Sequence, residues 1–130
     1  MNENDSGPLV LVVDDIEETR DGIERLLADD GYRVAEARDE EEAVSRAMGK
    51  GPDLVLISGA LAVDIVATAL RIRRRAELCE KVPFVIFCVQ TIAEGAEVEV
   101  KRNVYLTRPD NFDQLRGLLS RLLRRVPAPS

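Results

Sequence analysis

Residues 8–15 read PLVLVVDD, an apolar segment that ends in two adjacent aspartates. A short run that is so apolar and so rich in β-branched residues is typical of a strand covered on both faces. In α/β sheets the functional site lies just beyond the carboxyl ends of such strands. Asp14 and Asp15 are therefore candidate site residues; the alternative is that they only serve as favourable anions at the start of a helix.

Segments typical of strands and of helices alternate along the remaining chain. Four further strands are predicted at residues 32–37, 53–57, 82–89 and 103–107, with helical spacing of apolar residues between them. Because crossovers between parallel strands are right-handed and pack their helices on the sheet, this order predicts an α/β fold. We expect a three-layer α/β/α doubly wound domain with a five-stranded parallel sheet and no long antiparallel hairpin.

The apolar spacing also predicts which helical faces are buried. The first helix is expected to end at Gly31, and the second to cover residues 39–48. The side chains expected to face the core are Ile16, Ile23, Leu26 and Leu27 in the first helix, and Ala43, Val44, Ala47 and Met48 in the second.

The second half of the chain is less regular. One long helix is predicted over residues 61–79, and the best amphipathic helix begins at Phe112 and reaches Val126. Between residues 90 and 102, Gly95 interrupts the helical pattern and residues 97–100 alternate with a period of two. The sequence therefore predicts a frayed or absent helix there.

Composition limits the function further. The chain has 130 residues, a net charge of −6 and no histidine, which excludes histidine-dependent triads, phosphohistidine chemistry and most zinc sites. The basic residues of its second half fall at helical spacing and are interpreted as solvated helix faces or a partner-docking surface, so nucleic acid is not expected as a partner. Without a membrane segment or secretory signal, we expect a cytoplasmic protein. One domain is expected over residues 8–126, between a disordered tail (1–7) and a tail or linker (127–130).

Four motifs together resemble a known family. VLVVDD, PDLVLI, VPFVIF and YLTRP, which begin at residues 10, 52, 82 and 105, resemble the receiver domain of two-component response regulators, over nearly the whole chain. The resemblance implies a flavodoxin-like sheet with strand order 2-1-3-4-5. It also implies phosphoryl transfer from a histidine kinase to an aspartate after the third strand, at a Mg²⁺ site completed by two acidic residues after the first.

Three positions of this chain depart from the family pattern. The resemblance makes Asp14 and Asp15 the acidic pocket and Tyr105 the switch aromatic. The acceptor place holds Ser58, the hydroxyl place holds Cys88 and the lysine place holds Arg108. A serine cannot form an acyl phosphate and needs a base to attack phosphorus. With one carboxylate missing, and with Arg108 able to bridge Asp14 or Asp15, Mg²⁺ binding is expected to be weak or absent.

These departures predict a degenerate receiver that is not phosphorylated, is not an enzyme and acts as a protein-interaction module. The resemblance places a protein partner or self-association on the face between Gln90 and Val126, where residues 92–102 are expected to be mobile with partly exposed valines. An alternative is a sensor that binds a divalent metal or small ligand in the Asp14/Asp15 pocket. A phosphotransfer or hydrolytic enzyme is a third hypothesis, but it lacks a nucleophile and base.

Overall fold

A computed structural model of the chain describes residues 7–58, 65–87, 93, 95–108 and 111–124. The strands are β1 (Leu9–Val13), β2 (Arg33–Ala37), β3 (Leu54–Ile57), β4 (Phe84–Phe87), β5 (Glu97–Lys101) and β6 (Val104–Thr107). The helices are α1 (Glu17–Asp29), α2 (Glu40–Lys50), α3 (Ile65–Arg75) and α4 (Phe112–Arg124). The predicted tails lie outside the described residues, apart from Gly7.

The strands form one sheet in the order β2-β1-β3-β4-β6-β5. The pairs from β2 to β6 are all parallel, which confirms the predicted doubly wound arrangement. Every residue of β1 and β3 is buried, because helices cover both faces of the sheet. Alternate residues of β1 illustrate the two layers: Leu11 and Val13 belong to the core beside α2 and α3, whereas Val10 and Val12 belong to the core beside α1 and α4.

The sixth strand is a departure from the predicted five-stranded parallel sheet. β5 runs antiparallel to β6 and forms a short hairpin with it, a pairing that the sequence did not predict. The turn is made by Arg102 and Asn103, and Asn103 adopts a left-handed φ of 59°, a conformation that asparagine tolerates better than most residues. The expected weakness of a helix in this region is confirmed. Val98 and Val100 are 42% and 36% exposed, as predicted.

Helix ends agree with the sequence where a glycine marks them. After α1, Gly31 adopts a φ of 93°, and its amide donates to the Ala28 carbonyl while the Tyr32 amide donates to Leu27. α3 ends at Arg75, so the prediction that this helix reaches residue 79 is wrong. The same hydrogen-bonding pattern ends α3, with Glu77 in the place of the glycine at a φ of 56°. A glutamate in the sequence does not signal a left-handed position, so this helix end was not predicted.

Three apolar side chains expected in the core are exposed instead. Ile16 precedes the first turn of α1 in an extended conformation and is 54% exposed. Leu26 is 41% exposed and Met48 is 61% exposed, because each lies about 100° around its helix from a fully buried neighbour. The rest of the predicted core, including Ala43, is buried as expected.

Candidate functional site

Asp14 is a fully buried carboxylic acid at the carboxyl end of β1. Its amide donates to the Ala37 carbonyl of β2 at 3.0 Å, which fixes the backbone where the strand ends. One carboxylate oxygen, Oδ1, accepts a hydrogen bond from the Ile16 amide at 2.8 Å, and Oδ2 accepts from the Ser58 hydroxyl at 2.5 Å. Both oxygens of the buried carboxylate are therefore engaged within the protein.

Ser58 follows β3 and is also buried. The parallel register sets Val13 beside Ile57, and the Ser58 amide donates to the Val13 carbonyl at 2.9 Å. This pairing brings the residue after β3 against the residue after β1, although the two are 44 positions apart in the chain. The structure therefore brings together Asp14 and Ser58, as their positions after neighbouring strands predict.

Two other candidate residues that the structure describes, Asp15 and Tyr105, do not join Asp14 and Ser58 in one pocket. Asp15 is exposed, so the two adjacent aspartates do not form one pocket in the described part of the chain. Tyr105 is buried in the core beside α1 and α4. Cys88 lies outside the described residues.

Arg108 follows β6 and is half-buried. Its main chain pairs with the segment before β5: its amide donates to Ala96 at 3.1 Å and its carbonyl accepts from Gly95 at 2.6 Å. Among the described residues, none of the ion pairs joins Arg108 to Asp14 or Asp15. The ion pair expected from the sequence is therefore not formed, and the serine hydroxyl takes the place beside Asp14 instead.

A second contact to the site was not foreseen from the sequence. Arg20 of α1 donates from Nη1 to the Asp14 carbonyl at 2.9 Å and from Nε to the Glu36 carboxylate of β2 at 3.1 Å. Burial, followed by the nearby Asp21, raises the pKa of the Glu36 carboxyl above its ordinary value, although Arg20 opposes this shift. The sequence offered one signal for this contact: Arg20 lies among the apolar residues on the core-facing side of an amphipathic helix, where its guanidinium needs polar partners.

The described residues do not fit a tight Mg²⁺ site. Mg²⁺ prefers six oxygen ligands in near-ideal octahedral geometry. Here both oxygens of Asp14 accept protein hydrogen bonds, Asp15 points to solvent-exposed surface, and the third group is a neutral hydroxyl. The described ranges contain no cluster of three or more acidic or cysteine side chains that could hold a metal ion.

Comparison with known proteins identifies the class of protein to which this fold, with its buried carboxylate after β1, belongs. A family model described as the response regulator receiver domain matches residues 10–119, and the chain belongs to this family. Receiver domains are signalling modules of two-component systems and not enzymes. In the described part of the chain, no helix is long and apolar enough to cross a membrane.

One curated relative shows how much of a longer protein this chain covers. The phosphate regulon transcriptional regulatory protein PhoB of Pseudomonas aeruginosa is 29% identical over 126 residues, which are 92% of this chain and 53% of that protein. The chain thus spans about half the length of this relative.

One solved structure supports the family, and two that are less similar in sequence share the fold. The N-terminal domain of a response regulator/sensory box/GGDEF 3-domain protein from Carboxydothermus hydrogenoformans is 30% identical, with a TM-score of 0.67, and the match covers 89% of this chain and 94% of that one. Chemotaxis protein CheY4 of Vibrio cholerae is 24% identical, with a TM-score of 0.70 and coverage of 90% and 99%. The signal receiver domain of a histidine kinase from Syntrophus aciditrophicus is 18% identical, with a TM-score of 0.74 and coverage of 95% and 96%.

Proposed function

We propose that this receiver domain is not phosphorylated after β3 and that it acts by binding another protein. The observation that carries the proposal is the hydrogen bond from the Ser58 hydroxyl to the buried Asp14 carboxylate. Ser58 stands where the family resemblance places the acceptor aspartate. In this pocket the neutral Ser58 hydroxyl donates to the Asp14 carboxylate, so each group already has a protein partner.

Ser58 and Asp14 have the geometry of a nucleophile and its base, which raises the question of phosphorylation on the serine hydroxyl. A serine attacking phosphorus has to lose its proton, and Asp14 is placed to receive it. However, Ser58 and Asp14 are both buried, and a phosphoryl group on Ser58 would stand beside that carboxylate away from water. Burying an anion without a compensating partner is costly, and no described cation forms an ion pair with Asp14. Phosphorylation at Ser58 is therefore unfavourable.

The test is the intact mass of the protein after incubation with acetyl phosphate and Mg²⁺. We expect no mass gain in the wild type or in Ser58→Ala. Ser58→Asp restores a carboxylate at this position and is the positive control for a pocket that still admits the phosphodonor. A stable gain of one phosphoryl group in the wild type that is lost in Ser58→Ala would contradict the proposal.

The same samples distinguish the metal-sensing alternative. Calorimetric titration with Mg²⁺ is expected to give no saturable binding in the wild type, because both Asp14 oxygens are already engaged. Saturable binding that disappears in Asp14→Asn would favour a cation sensor over an interaction module.

A further inference from the structure

The structure has an edge strand, β5, that is open to solvent. In the part of the chain that the structure describes, it is the last strand of the sheet, and β6 is its one paired neighbour. Of its five residues, Glu97 is half-buried and the other four are exposed. We propose that this edge binds an extended segment of a partner protein, which adds a strand beside β5 and carries basic side chains at alternate positions. The inference rests on the proposed function, since it names the surface through which the domain would bind a protein.

The main chain of β5 provides the hydrogen-bonding groups. The Arg108 amide donates to the Ala96 carbonyl. Because hydrogen-bonding direction alternates along an antiparallel ladder, the main-chain amide and carbonyl of Val98 point towards β6, and those of Glu97 and Glu99 point away from it. The β5–β6 ladder lies on the other side of the strand, and no described residue forms a hydrogen bond with the outward amides and carbonyls of Glu97 and Glu99. A row of unpaired amides and carbonyls is the template for adding a strand.

The side chains of β5 decide what kind of strand fits. Glu97 and Glu99 lie opposite Thr107 and Tyr105 and share the face towards α4, whereas Val98 lies opposite Leu106 on the other face. An added strand therefore meets two carboxylates on one face and an exposed valine on the other. Opposite charges in directly facing positions stabilise a strand pair, and like charges destabilise it.

This charge pattern argues against a second copy as the occupant. Antiparallel pairing of two β5 strands around Val98 or Glu99 sets the glutamates of one copy against those of the other. The irregularity between Glu99 and Lys101 makes Lys101 the partner of Val104, on the opposite face, so the lysine cannot compensate the glutamates. A basic segment of a different protein avoids this repulsion.

Glu99 is the carboxylate that a basic partner residue would meet. Glu97 already pairs with Arg121 of α4 at 2.6 Å. Glu99 accepts a hydrogen bond from the Asn103 amide at 2.8 Å but forms no ion pair with a described cation. The unpaired negative charge of the edge is therefore centred on this residue.

A synthetic peptide tests the proposal with the full chain. The probe is a capped peptide of about ten residues in which lysine and valine alternate, titrated into isotope-labelled protein and followed by NMR. We expect saturable shifts at the amides of Glu97 and Glu99 and slower hydrogen exchange there. A peptide alternating glutamate and valine should bind much more weakly, because it repeats the like-charge contact.

Matched variants separate strand pairing from charge alone. Glu99→Pro removes an outward amide without removing a β6 hydrogen bond, and we expect about tenfold weaker binding. Glu99→Ala keeps that amide and should weaken binding about two- to threefold. Glu18→Ala removes one exposed negative charge from α1 and should leave binding unchanged. If Glu99→Pro does not fold, a peptide with N-methyl groups on alternate amides tests the same hydrogen bonds and should not bind.

Several results would overturn the proposal. The first is an absence of saturable binding, and the second is an affinity for the N-methylated peptide, or of folded Glu99→Pro for the original peptide, equal to that of the wild-type pair. The others are NMR shifts centred on the other edge strand, β2, or self-association through β5 in sedimentation. Failure of the proposed function has a different signature, a phosphoryl mass gain or saturable Mg²⁺ binding, and either can be measured on the same protein while peptide binding persists.

Discussion

The centre of the sheet and its hairpin end, formed by β5 and β6, are stabilised in different ways. At the centre, every residue of β1 and β3 is buried, and the polar groups beyond these strands satisfy one another through Asp14 and Ser58. At the hairpin end, the outer strand β5 is exposed, and Arg73 of α3 and Arg121 of α4 donate to the turn and to Glu97. The comparison indicates that the centre is fixed by burial, whereas the outer strand depends more on a few hydrogen bonds.

Arg73 makes several polar contacts at the hairpin end. Its guanidinium donates to the carbonyls of Arg102, Val82 and Asn103 at 2.9, 3.3 and 3.3 Å. It also lies over the Phe84 ring at 5.0 Å. Burial lowers the pKa of Arg73, since the charged group is partly removed from water. One side chain of α3 thus joins the start of β4 to the turn of the hairpin.

A matched pair of valine truncations tests the difference in burial and should give the largest effect. Val85 of β4 is fully buried, whereas Val98 of β5 is 42% exposed. Val85→Ala should lower the free energy of unfolding by about 2–3 kcal/mol, through lost apolar burial and a residual cavity. Val98→Ala should change it by less than about 0.5 kcal/mol. Urea unfolding measures both, and equal losses would contradict the comparison.

Arg73→Gln tests whether hydrogen bonds hold the hairpin end. We expect a loss of about 1–2 kcal/mol in the free energy of unfolding, because three carbonyls lose a charged donor. Hydrogen exchange at the amides of Lys101 and Val104 should become faster, while exchange in β1 changes only with global stability. Arg74→Gln alters an exposed neighbour and serves as the control. A similar, small effect of both substitutions would show that the guanidinium does not hold the hairpin.

The smallest expected effect concerns the ion pairs that link α2 to α3. The Arg71 hydrogen bond, and next Arg75, lower the pKa of Glu40 below its ordinary 4.5, although partial burial opposes them. A lowered folded pKa adds stability above the unfolded value, and this contribution is lost as the pH falls through the folded pKa. Glu40→Gln should therefore cost less than about 1 kcal/mol at pH 7 and nothing at about pH 2–3. Thermal unfolding at the two pH values measures this, and a loss that persists in acid would exclude the ion pair as its cause.

The parallel part of the fold was predictable because its signals are local and strong. β1, β3 and β4 are continuous apolar runs, and glycine marks the end of α1 at Gly31. The hairpin was missed because the regular alternation of strands and helices favoured a helix there, although residues 97–100 already had the period of a strand. The end of α3 was missed because Glu77 occupies a position where glycine is the usual signal.

The candidate site was predictable in its pairing but not in its orientation. Adjacent parallel strands bring the residues that follow them together, so the contact between Asp14 and Ser58 follows from strand order. The outward direction of Asp15 depends on the backbone after β1. The contact from Arg20 to the Asp14 carbonyl depends on how α1 packs, which no local pattern encodes.

The hairpin also differs from the parallel sheet in how early it can form during folding. Lys101 and Val104 face each other across a two-residue turn, and such a turn closes on a microsecond timescale. The contact between Asp14 and Ser58 requires a chain segment of 44 residues to return to β1, with the intervening helices in place. An isolated hairpin is only marginally stable in water, so the early turn persists only after β4 docks beside β6. The end of the sheet that is least buried in the finished domain is thus the first that can begin to form.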